Sequence, residues 1–565
     1  MKRLSLCLAL LALASPLVAG TSRYVVLMRT PLQKSHARVI NEVVEEQAQQ
    51  RDVRTYRTID AFAANLTDEE VAELRASSDV RVVETIKERH INDDLIVPRP
   101  AQPAFTDTPS DSPFNHQIVP YGIDLVHAPQ VWSVGRGENI NVAIVDTGVD
   151  STHPDLKDNY AGGFNAYAPN GQPIDDHRHG THVAGTVAAE NNDIGVVGVA
   201  PSARIWAVKV LDTTGFGDNE HIAAGIDWII AKKREIGGNW IISMSLGSKD
   251  PSDIEEAAVK RAAAEGILLV AAAGNNSWPF LDYPAAYDNV MAVAAVDSDK
   301  KLATFTNSGS TLSVAAPGVN VISTVPTGVS FVADVQSSAG DLFAASALRG
   351  SPKTDFDGDF IFCGYGRPED IPSAVTGKIA LIRRGNPDRP MTFNEKVRNA
   401  KASGAKAVII LNGKENIDDE GIWTLILPDC SDATKGCHDS DDDVAFDWPL
   451  TVGMTYADGE KLLALIGKAT ITESYRADDY ARFSGTSMAT PHVSATAALI
   501  WSLNPTLTAQ QVRAAIEDTA EDLGTPGVDP QYGHGVINAL AAAQRVAPEK
   551  FGLPPIPPRR HGSGH

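Results

Sequence analysis

The segment "NVAIVDTGVD" (residues 141–150) decides the fold class of this chain. Its apolar run, Val142 to Val145, predicts a buried strand that delivers one carboxylate, Asp146, into a Thr-Gly turn. From residue 117 onward, similar apolar runs ("RIWAVKVL", "WIISMSL", "GILLVAAAG") alternate with helical patterns such as "EHIAAGIDWIIAKKRE" and "DIEEAAVKRAAAE". This alternation predicts an α/β fold with a parallel sheet that is covered by helices on both faces.

Length and composition fit a globular protein of several domains, since the chain has 565 residues, of which 43% are hydrophobic and 21% charged. The formal net charge is −22. Because nucleic acid and anionic membranes repel an acidic surface, we expect neither of them as a partner.

The N-terminal residues 1–20 have the pattern of a secretory signal peptide. Lys2 and Arg3 precede an apolar run, Leu4–Leu13, and the small residues Ala19 and Gly20 offer a cleavage site. We therefore expect a secreted, extracellular protein. A retained membrane anchor is the alternative, although the apolar run is short for a membrane span.

The chain carries three cysteines after the expected signal peptide: Cys363, Cys430 and Cys437. Export makes a disulfide possible. Cys430 and Cys437 enclose a short polar loop and are the favoured pair, while pairing of Cys363 with either of them stays open.

Composition and patterning divide the chain into segments. A small α+β domain is predicted near the N-terminus, where the helix "LTDEEVAELRAS" begins with a capping box formed by Thr67 and Glu70. A Pro-, Ser- and Thr-rich linker follows it. The predicted segments are the small domain at 21–91, the linker at 92–116, the α/β domain in two parts at 117–328 and 476–548, an insertion at 329–475, and a disordered tail at 549–565.

The Asp-Thr-Gly turn at Asp146 has two chemical interpretations. It could supply half of an aspartic-protease dyad, in which two carboxylates share one proton, but such a dyad needs a second turn of this kind and the sequence has one. The alternative is a buried acid that orients a histidine.

The segment "DDHRHGTHVAGT" (residues 175–186) contains His177, His179 and His182. Clustered histidines can bind zinc. However, Thr181 stands where a metallo-β-lactamase type of site has an aspartate, and no obvious second group of ligands follows. The favoured interpretation is a general base at one histidine and a buried structural role for His182.

The segment "FSGTSMATPH" (residues 483–492) places Ser487 at the start of an apolar helix, after Gly485. A hydroxyl in that position is accessible and lies near backbone N–H donors, as a catalytic nucleophile requires. An ordinary N-cap serine is the alternative.

Three long blocks, "VAIVDTGVDSTHPDL", "HGTHVAGTVAA" and "GTSMATPHVSATAALI", together resemble the signature blocks of the subtilisin-like serine proteases, the subtilases. The resemblance covers residues 117–544 outside the insertion. It implies a subtilisin-like catalytic domain that works by acyl transfer, with Ser487 as the nucleophile, His179 as the general base and Asp146 orienting the imidazole. It also implies an oxyanion site formed by the Asn275 side chain and the Ser487 backbone N–H.

The resemblance further implies where substrates and a metal ion bind. Protein or peptide substrates would lie as an extended strand against two backbone segments, which implies broad endopeptidase specificity. A structural Ca²⁺ is implied beside the loop "AENNDIGVVG", with an ordinary Asn-rich turn as the alternative. The matching substrate-binding residues are Gly215, Gly217, Ser245, Leu246 and Gly247, and the matching calcium residues are Gln117, Asp155, Asn192 and the carbonyls of Glu190, Ile194 and Val196.

The two accessory segments also carry a resemblance. Residues 21–91 resemble the inhibitory propeptide of subtilases, which implies a zymogen whose own N-terminal domain blocks the cleft and makes the linker at 92–116 the maturation region; a permanent binding domain is the alternative. The insertion, with "GKIALIRRG" and "PLTVGMTYADGEKLL", resembles a protease-associated domain. We expect it to act in substrate access or protein contact, with an inert spacer as the alternative. The competing function for the whole chain is a non-catalytic binding protein on a protease scaffold.

Overall fold

The computed structural model describes residues 20–35, 38–91, 95–96, 117–328, 330–348, 351–352, 354–385, 391–412, 428–429, 438–439, 445–454, 456–468 and 470–554. The predictions for residues 1–19, for most of the linker, for Cys430 and Cys437 and for the end of the tail lie outside the described residues. Within the described residues, no helix combines the length and apolarity that a membrane span requires.

A parallel sheet of seven strands forms the centre of the fold, within residues 117–328, all of which are described. Strand Ile140–Asp146 lies inside this sheet, and each of its residues is buried. The predicted strands of the α/β domain are therefore confirmed. The strands lie in the order Leu312–Pro317, Val290–Val296, Leu268–Ala272, Asn239–Met244, Ile140–Asp146, Arg204–Lys209 and Tyr160–Asn165.

Helices cover both faces of this sheet, and alternate residues of the inner strand belong to two separate apolar cores. Val142 and Ile144 face one core, whereas Ala143 and Val145 face the other, because successive side chains of a strand point to opposite faces. Burial on both faces explains the continuous apolar run in the sequence. The first core contains the helices His179–Ala188 and Thr486–Leu503, and the second contains the helices Asn219–Ile236 and Asp253–Ala264.

The winding of the sheet reverses at strand Ile140–Asp146. The chain goes on to Tyr160–Asn165 and Arg204–Lys209 on one side and then returns to Asn239–Met244 on the other. In open α/β sheets such a reversal leaves a crevice at the carboxyl ends of the strands, and ligands bind there. Asp146 is the last residue of its strand and therefore lies at this crevice.

The N-terminal domain (residues 20–91) contains an antiparallel sheet of four strands among its described residues. Helix Asp68–Ala76 packs against it and begins at the predicted capping box, in which the Thr67 hydroxyl accepts from the Glu70 N–H and the Glu70 carboxylate accepts from the Thr67 N–H. The sheet order is Arg54–Thr55, Ala61–Leu66, Ser22–Met28 and Val80–Thr85, and short helical turns lie at Leu32–Lys34, Arg38–Ile40 and Asn41–Glu46.

The inserted domain has a mixed sheet of its own among the described residues between 330 and 478. Strand Val321–Thr324, just before the insertion, pairs antiparallel with strand Tyr480–Ser484, just after it. This ribbon returns the chain to the point where it left, so the insertion interrupts the sequence without opening the central sheet. The sheet order is Phe356–Gly358, Ile471–Asp478, Ser330–Ser337, Leu342–Ala347, Leu450–Met454, Ala407–Leu411, Ile379–Arg383 and Phe360–Phe362.

Cys363 of the inserted domain is a buried thiol without a disulfide among the described residues, and burial raises its pKa to about 12.

The remaining elements are short. The remaining helices are Tyr121–Leu125, Pro368–Asp370, Ser373–Val375, Phe393–Ala402, Tyr456–Leu463, Ala509–Glu517, Ala539–Val546 and Pro548–Phe551, and the remaining strands are Glu88–His90, Leu95–Ile96, Phe216–Asp218, Pro428–Asp429 and His438–Asp439.

Candidate active site

The turn after strand Ile140–Asp146 holds the buried carboxylate of Asp146. The Thr147 N–H donates to Asp146 Oδ1 at 2.7 Å. Gly148 has a φ of 114°, and a Cβ there would lie 2.6 Å from the carbonyl carbon of Ile174. Only glycine fits this conformation and this space. The Thr-Gly pair therefore lets the chain turn sharply while the carboxylate stays at the sheet edge.

His179 is the first residue of helix His179–Ala188 and contacts Asp146 directly. Its Nδ1 lies 2.7 Å from Asp146 Oδ1, and both side chains are 0% exposed. An Nδ1–H that donates to a carboxylate fixes the tautomer and leaves Nε2 as the basic nitrogen. The arrangement is that of an acid orienting a base.

A second carboxylate, Asp175, holds the start of this helix in place. It accepts hydrogen bonds from the hydroxyls of Thr147 at 2.9 Å and Thr181 at 2.6 Å. The Thr147 hydroxyl in turn accepts from the Gly180 N–H at 2.9 Å, next to His179. Neither Thr147 nor Asp175 is marked as functional by its own sequence pattern, and the Asp-Asp pair before "HRHGTH" is the available signal for Asp175.

Ser487 is held at the end of the strand that neighbours Ile140–Asp146. It exchanges two hydrogen bonds with Ser245: the Ser245 hydroxyl donates to the Ser487 carbonyl at 2.8 Å, and the Ser487 hydroxyl donates to the Ser245 carbonyl at 3.1 Å. Ser245 directly follows strand Asn239–Met244, which pairs with Ile140–Asp146. Since paired strands lie about 4.8 Å apart, Ser487 and Asp146 reach the sheet edge at adjacent strand ends.

His182 has a structural environment, as the sequence predicted. Its Nε2 lies 3.0 Å from the Val321 carbonyl oxygen and 3.1 Å from that of Ala481, and its ring stacks on Phe483. Burial, with a smaller effect from His179, lowers its pKa to about 3. His179 and His182 therefore have different partners. No group of three or more His, Cys, Asp or Glu side chains in the described part of the chain is arranged to hold a metal ion.

Asn275 lies beside the start of the Ser487 helix. Its Oδ1 accepts from both the backbone N–H and the hydroxyl of Thr486, each at 2.8 Å. A Cβ on Gly485 would lie 3.1 Å from Asn275 Nδ2 and 3.6 Å from the Ser487 nitrogen. The Asn275 side-chain amide and the Ser487 backbone N–H thus border the same small space beside Gly485. This space stays open because glycine has no Cβ.

The two predicted substrate segments form the sides of a groove that the chain itself fills. The His90 N–H donates to the Gly247 carbonyl at 3.3 Å, and the Gly247 N–H donates back at 3.0 Å. On the other side, the Ile91 N–H donates to the Gly215 carbonyl at 3.1 Å, and Arg89 pairs with Gly217. The segment of the N-terminal domain that ends at Ile91 therefore lies as a strand between both edges.

The same chain is paired again just beyond the groove. Leu95 pairs with Ser484, and Ile96 pairs with Phe483, three and four positions before Ser487 in the sequence. The described residues before and after 92–94 are thus both paired with the central domain, Ile91 with Gly215 and Leu95 with Ser484.

The six residues predicted for calcium lie together. Four oxygens surround Gln117 Nε2: the carbonyls of Glu190 at 2.5 Å, Val196 at 2.8 Å and Ile194 at 2.9 Å, and Asn192 Oδ1 at 3.3 Å. The buried oxygens Asp155 Oδ1 and Gln117 Oε1 have no hydrogen-bond partner in the described structure. Burial raises the pKa of Asp155 to about 7. An oxygen-rich cluster of this kind fits a hard cation.

Three family models match this chain. The Subtilase family matches residues 137–343 and 439–535, the PA domain matches residues 339–462, and Peptidase inhibitor I9 matches residues 25–92. The expected resemblances of the central, inserted and N-terminal domains are confirmed by these matches.

Individual relatives agree with the family models. The chain is 41% identical to Subtilisin E of Bacillus subtilis (strain 168) over 281 residues, which are 49% of this chain and 66% of that protein, just under two thirds of its length. It is 38% identical to the Thermostable alkaline protease of Halalkalibacterium halodurans over 317 residues, 56% of this chain and 78% of that protein.

Solved structures show the same likeness. The structure of the psychrophilic subtilisin-like protease Apa1 from Pseudoalteromonas sp. AS-11 covers 77% of this chain, and this chain covers 99% of that one, with a TM-score of 0.54 and 31% identity. Fervidolysin from Fervidobacterium pennivorans shares the fold at 22% identity, with a TM-score of 0.58 over 93% of this chain and 61% of that chain.

Proposed function

This chain belongs to the subtilase family, and on that premise we propose that it is a serine endopeptidase in which Ser487, His179 and Asp146 cleave peptide bonds by acyl transfer. The observation that carries the proposal is the 2.7 Å contact between the buried side chains of His179 and Asp146 at the sheet edge that also holds Ser487. A non-catalytic binding protein does not require a histidine that a carboxylate orients at the carboxyl end of a strand.

In the proposed reaction, the Ser487 hydroxyl turns from the Ser245 carbonyl toward His179 Nε2 and attacks the peptide carbonyl. His179 takes the hydroxyl proton and then gives it to the leaving amine, so that an acyl-enzyme forms. Water, deprotonated by the same imidazole, releases the acyl group. Asp146 keeps the imidazole in the required tautomer and stabilises its protonated form.

The tetrahedral intermediate places a negative charge on the former carbonyl oxygen. We assign its stabilisation to Asn275 Nδ2 and the Ser487 backbone N–H, which border the same space in front of Gly485. Because Thr486 holds the Asn275 amide oxygen with two hydrogen bonds, the amide nitrogen is oriented before substrate arrives.

A substrate would pair as an extended strand with Gly215 and Gly217 on one side and Gly247 on the other, while Ser245 and Leu246 shape the adjoining wall. The backbone pairing of residues 89–91 in this groove supports the assignment. Hydrogen bonds to the backbone are available from any peptide, so this part of the recognition tolerates many sequences.

The N-terminal domain would keep the enzyme inactive until it is removed. Besides filling the groove, it places the Glu84 carboxylate on the N-terminus of helix Asp253–Ala264, where it accepts from the N–H groups of Asp253 and Ile254. Its residues Arg57 and Thr58 bind Asp227 of the neighbouring helix through their N–H groups. These contacts support an intramolecular inhibitor in a zymogen, and we infer from the signal-peptide pattern of residues 1–20 that the zymogen is secreted.

We also propose that the oxygen cluster at Gln117 holds a structural Ca²⁺. Gln117 would contribute Oε1 after its side-chain amide turns over, since Nε2 faces the loop oxygens in this structure. Asp155 would contribute Oδ1, and the loop after the His179 helix would contribute the remaining oxygens. Bound there, the cation would supply positive charge that ties this loop to the segment around Gln117. No step of the reaction depends on it. The oxygen ligands are Gln117, Asp155, Asn192 and the carbonyls of Glu190, Ile194 and Val196.

A serine-directed covalent inhibitor tests the proposed function. We expect one equivalent to attach to Ser487 in the protein freed of its N-terminal domain, with complete loss of peptide cleavage, and no attachment to Ser487→Ala. A mature wild-type protein that neither reacts nor cleaves casein would favour the binding-protein alternative. A zinc hydrolase would instead lose activity with a zinc chelator and keep it in Ser487→Ala.

A further inference from the structure

Arg89 of the N-terminal domain lies completely buried against the central domain. Its side chain and that of Glu255 are both 0% exposed. Arg89 Nε donates to Glu255 Oε2 at 2.7 Å, and Nη2 lies 2.5 Å from the same oxygen. Nη2 also donates to the Asp250 carbonyl at 3.0 Å, and Nη1 donates to the Glu88 carbonyl at 2.8 Å.

The acceptors for this guanidinium belong almost entirely to the central domain. Glu255 lies in the first turn of helix Asp253–Ala264, where the helix dipole favours a carboxylate. Asp250 precedes the same helix, and the Glu88 carbonyl is a backbone group that any bound peptide would supply. Among the charged groups that act on Glu255, the cations Arg89 and Lys87 and the carboxylate of Glu84 belong to the N-terminal domain, so removal of this domain takes all three away.

The position of Arg89 along the groove can be read from the strand that carries it. Arg89 pairs with Gly217, and two residues later Ile91 donates to Gly215. A Cβ on Gly215 would lie 2.7 Å from Ile91 Cδ1 and 3.5 Å from His177 Nε2. The strand therefore runs toward the start of the His179 helix, and Arg89 occupies a subsite on the N-terminal side of the bond to be cleaved.

We propose that Glu255 makes this protease select substrates with an arginine a few residues before the scissile bond, in the subsite that Arg89 occupies in the precursor. This inference rests on the proposed peptidase function and restricts the broad specificity expected from backbone pairing alone. The substrate class is proteins and peptides with an arginine at that position.

The physical reason is the cost of an unpaired charge. An apolar side chain in this subsite would shield the Glu255 carboxylate from water without giving it a cation, and a buried charge without a partner is strongly unfavourable. A lysine would supply a point charge but not the planar set of donors that reaches both Glu255 and the Asp250 carbonyl. An acidic side chain would be repelled.

Internally quenched peptides test the proposal. The mature wild-type enzyme would be assayed on a series in which arginine is moved through each position before a mapped cleavage site, and then replaced by lysine, leucine, alanine or glutamate. We expect one preferred position, at which Arg→Ala lowers kcat/KM on the order of 10²-fold, with lysine intermediate. Glu255→Gln should remove most of this difference, whereas Glu256→Gln, on the same helix and paired with Lys260, should keep it.

Variants at Glu255 alter a buried contact of the precursor, so Arg89→Leu/Glu255→Leu provides a second test in which the buried pair is replaced as a whole. This enzyme should mature and prefer leucine over arginine at the same position. A wild-type enzyme that reacts with the serine-directed inhibitor and cleaves peptides without preferring arginine overturns this inference and leaves the proposed function intact. An arginine preference that survives in both Glu255 variants overturns it as well. Failure of labelling and of all cleavage would instead reject the proposed function.

Discussion

His179 Nδ1 and Asp146 Oδ1 lie 2.7 Å apart although 33 positions of sequence separate the two residues. Asp146 ends a buried strand and His179 begins a helix, and packing against the two apolar cores fixes both elements. The acid therefore meets the base through the fold and not through local sequence.

Replacement of Asp146 by Asn should leave the fold intact and lower kcat by about 10⁴-fold, because the amide no longer holds the productive imidazole tautomer. KM should change little. Initial rates on a peptide substrate would measure the effect. Asp150→Asn, in the same turn but bonded to Thr152 and Thr327, should stay near wild-type activity. An Asp146→Asn enzyme within tenfold of wild type would contradict the assigned role.

Replacement of Asn275 by Ala should lower kcat by about 10²–10³-fold with a small effect on KM, a magnitude known from the corresponding donor of a subtilisin. The loss arises because the charge of the intermediate keeps only the Ser487 N–H. The exposed neighbour Asn276→Ala is the matched control. Equal losses in both variants would point to a disturbed loop instead of a missing donor.

Removal of calcium from the mature, inhibitor-blocked enzyme should lower its Tm by several degrees, because binding to the folded state alone stabilises that state. Differential scanning calorimetry with and without a chelator measures this. Asp155→Asn should largely abolish the response, and Asp193→Asn in the same loop should retain it. Superimposable melting curves for the wild-type enzyme would eliminate the calcium site.

Buried histidines should make the folded protein sensitive to acid. Burial lowers the pKa of His182 from 6.5 to about 3, so its contribution to stability is complete above pH 6.5 and is lost as the pH falls toward 3. Each pH unit in that range costs up to about 1.4 kcal/mol. In urea unfolding of the inhibited enzyme, His182→Gln, which does not titrate, should lose less stability than wild type between pH 6.5 and 4. His534→Gln, at a partly exposed site, should keep the wild-type dependence of the unfolding free energy on pH. If His182→Gln keeps the same dependence, His182 is not the source of the acid sensitivity.

Maturation should cut the chain after Ile91 and no later than Leu95, because Ile91 is held at Gly215 in the proposed substrate groove and Leu95 pairs with Ser484, three positions before Ser487. N-terminal sequencing and intact mass of the active protein measure the position. Ser487→Ala should keep residues 21–91 attached. Release of this segment from purified Ser487→Ala at the wild-type rate would show that another protease performs the cut.

Much of this molecule was predictable because its signals are local. Apolar runs predicted the buried strands, the Thr67–Glu70 capping box predicted a helix start, and glycines marked the turns at Asp146 and Ser487. Conversely, Asp175 was missed because its role consists of contacts with Thr147 and Thr181, and nothing in the sequence around an Asp-Asp pair specifies those partners.

The sequence by itself determined the order of strands and helices, the three family resemblances and the candidate residues, since propensity, hydrophobic period and motif length are properties of short segments. Only the tertiary structure decided which side chains share a site. Arg89 and Glu255 are separated by 166 positions, and each alone is an ordinary charged residue. Their pairing depends on how the N-terminal domain seats its last strand in the groove, and that position is set by packing and backbone hydrogen bonds that no single segment encodes.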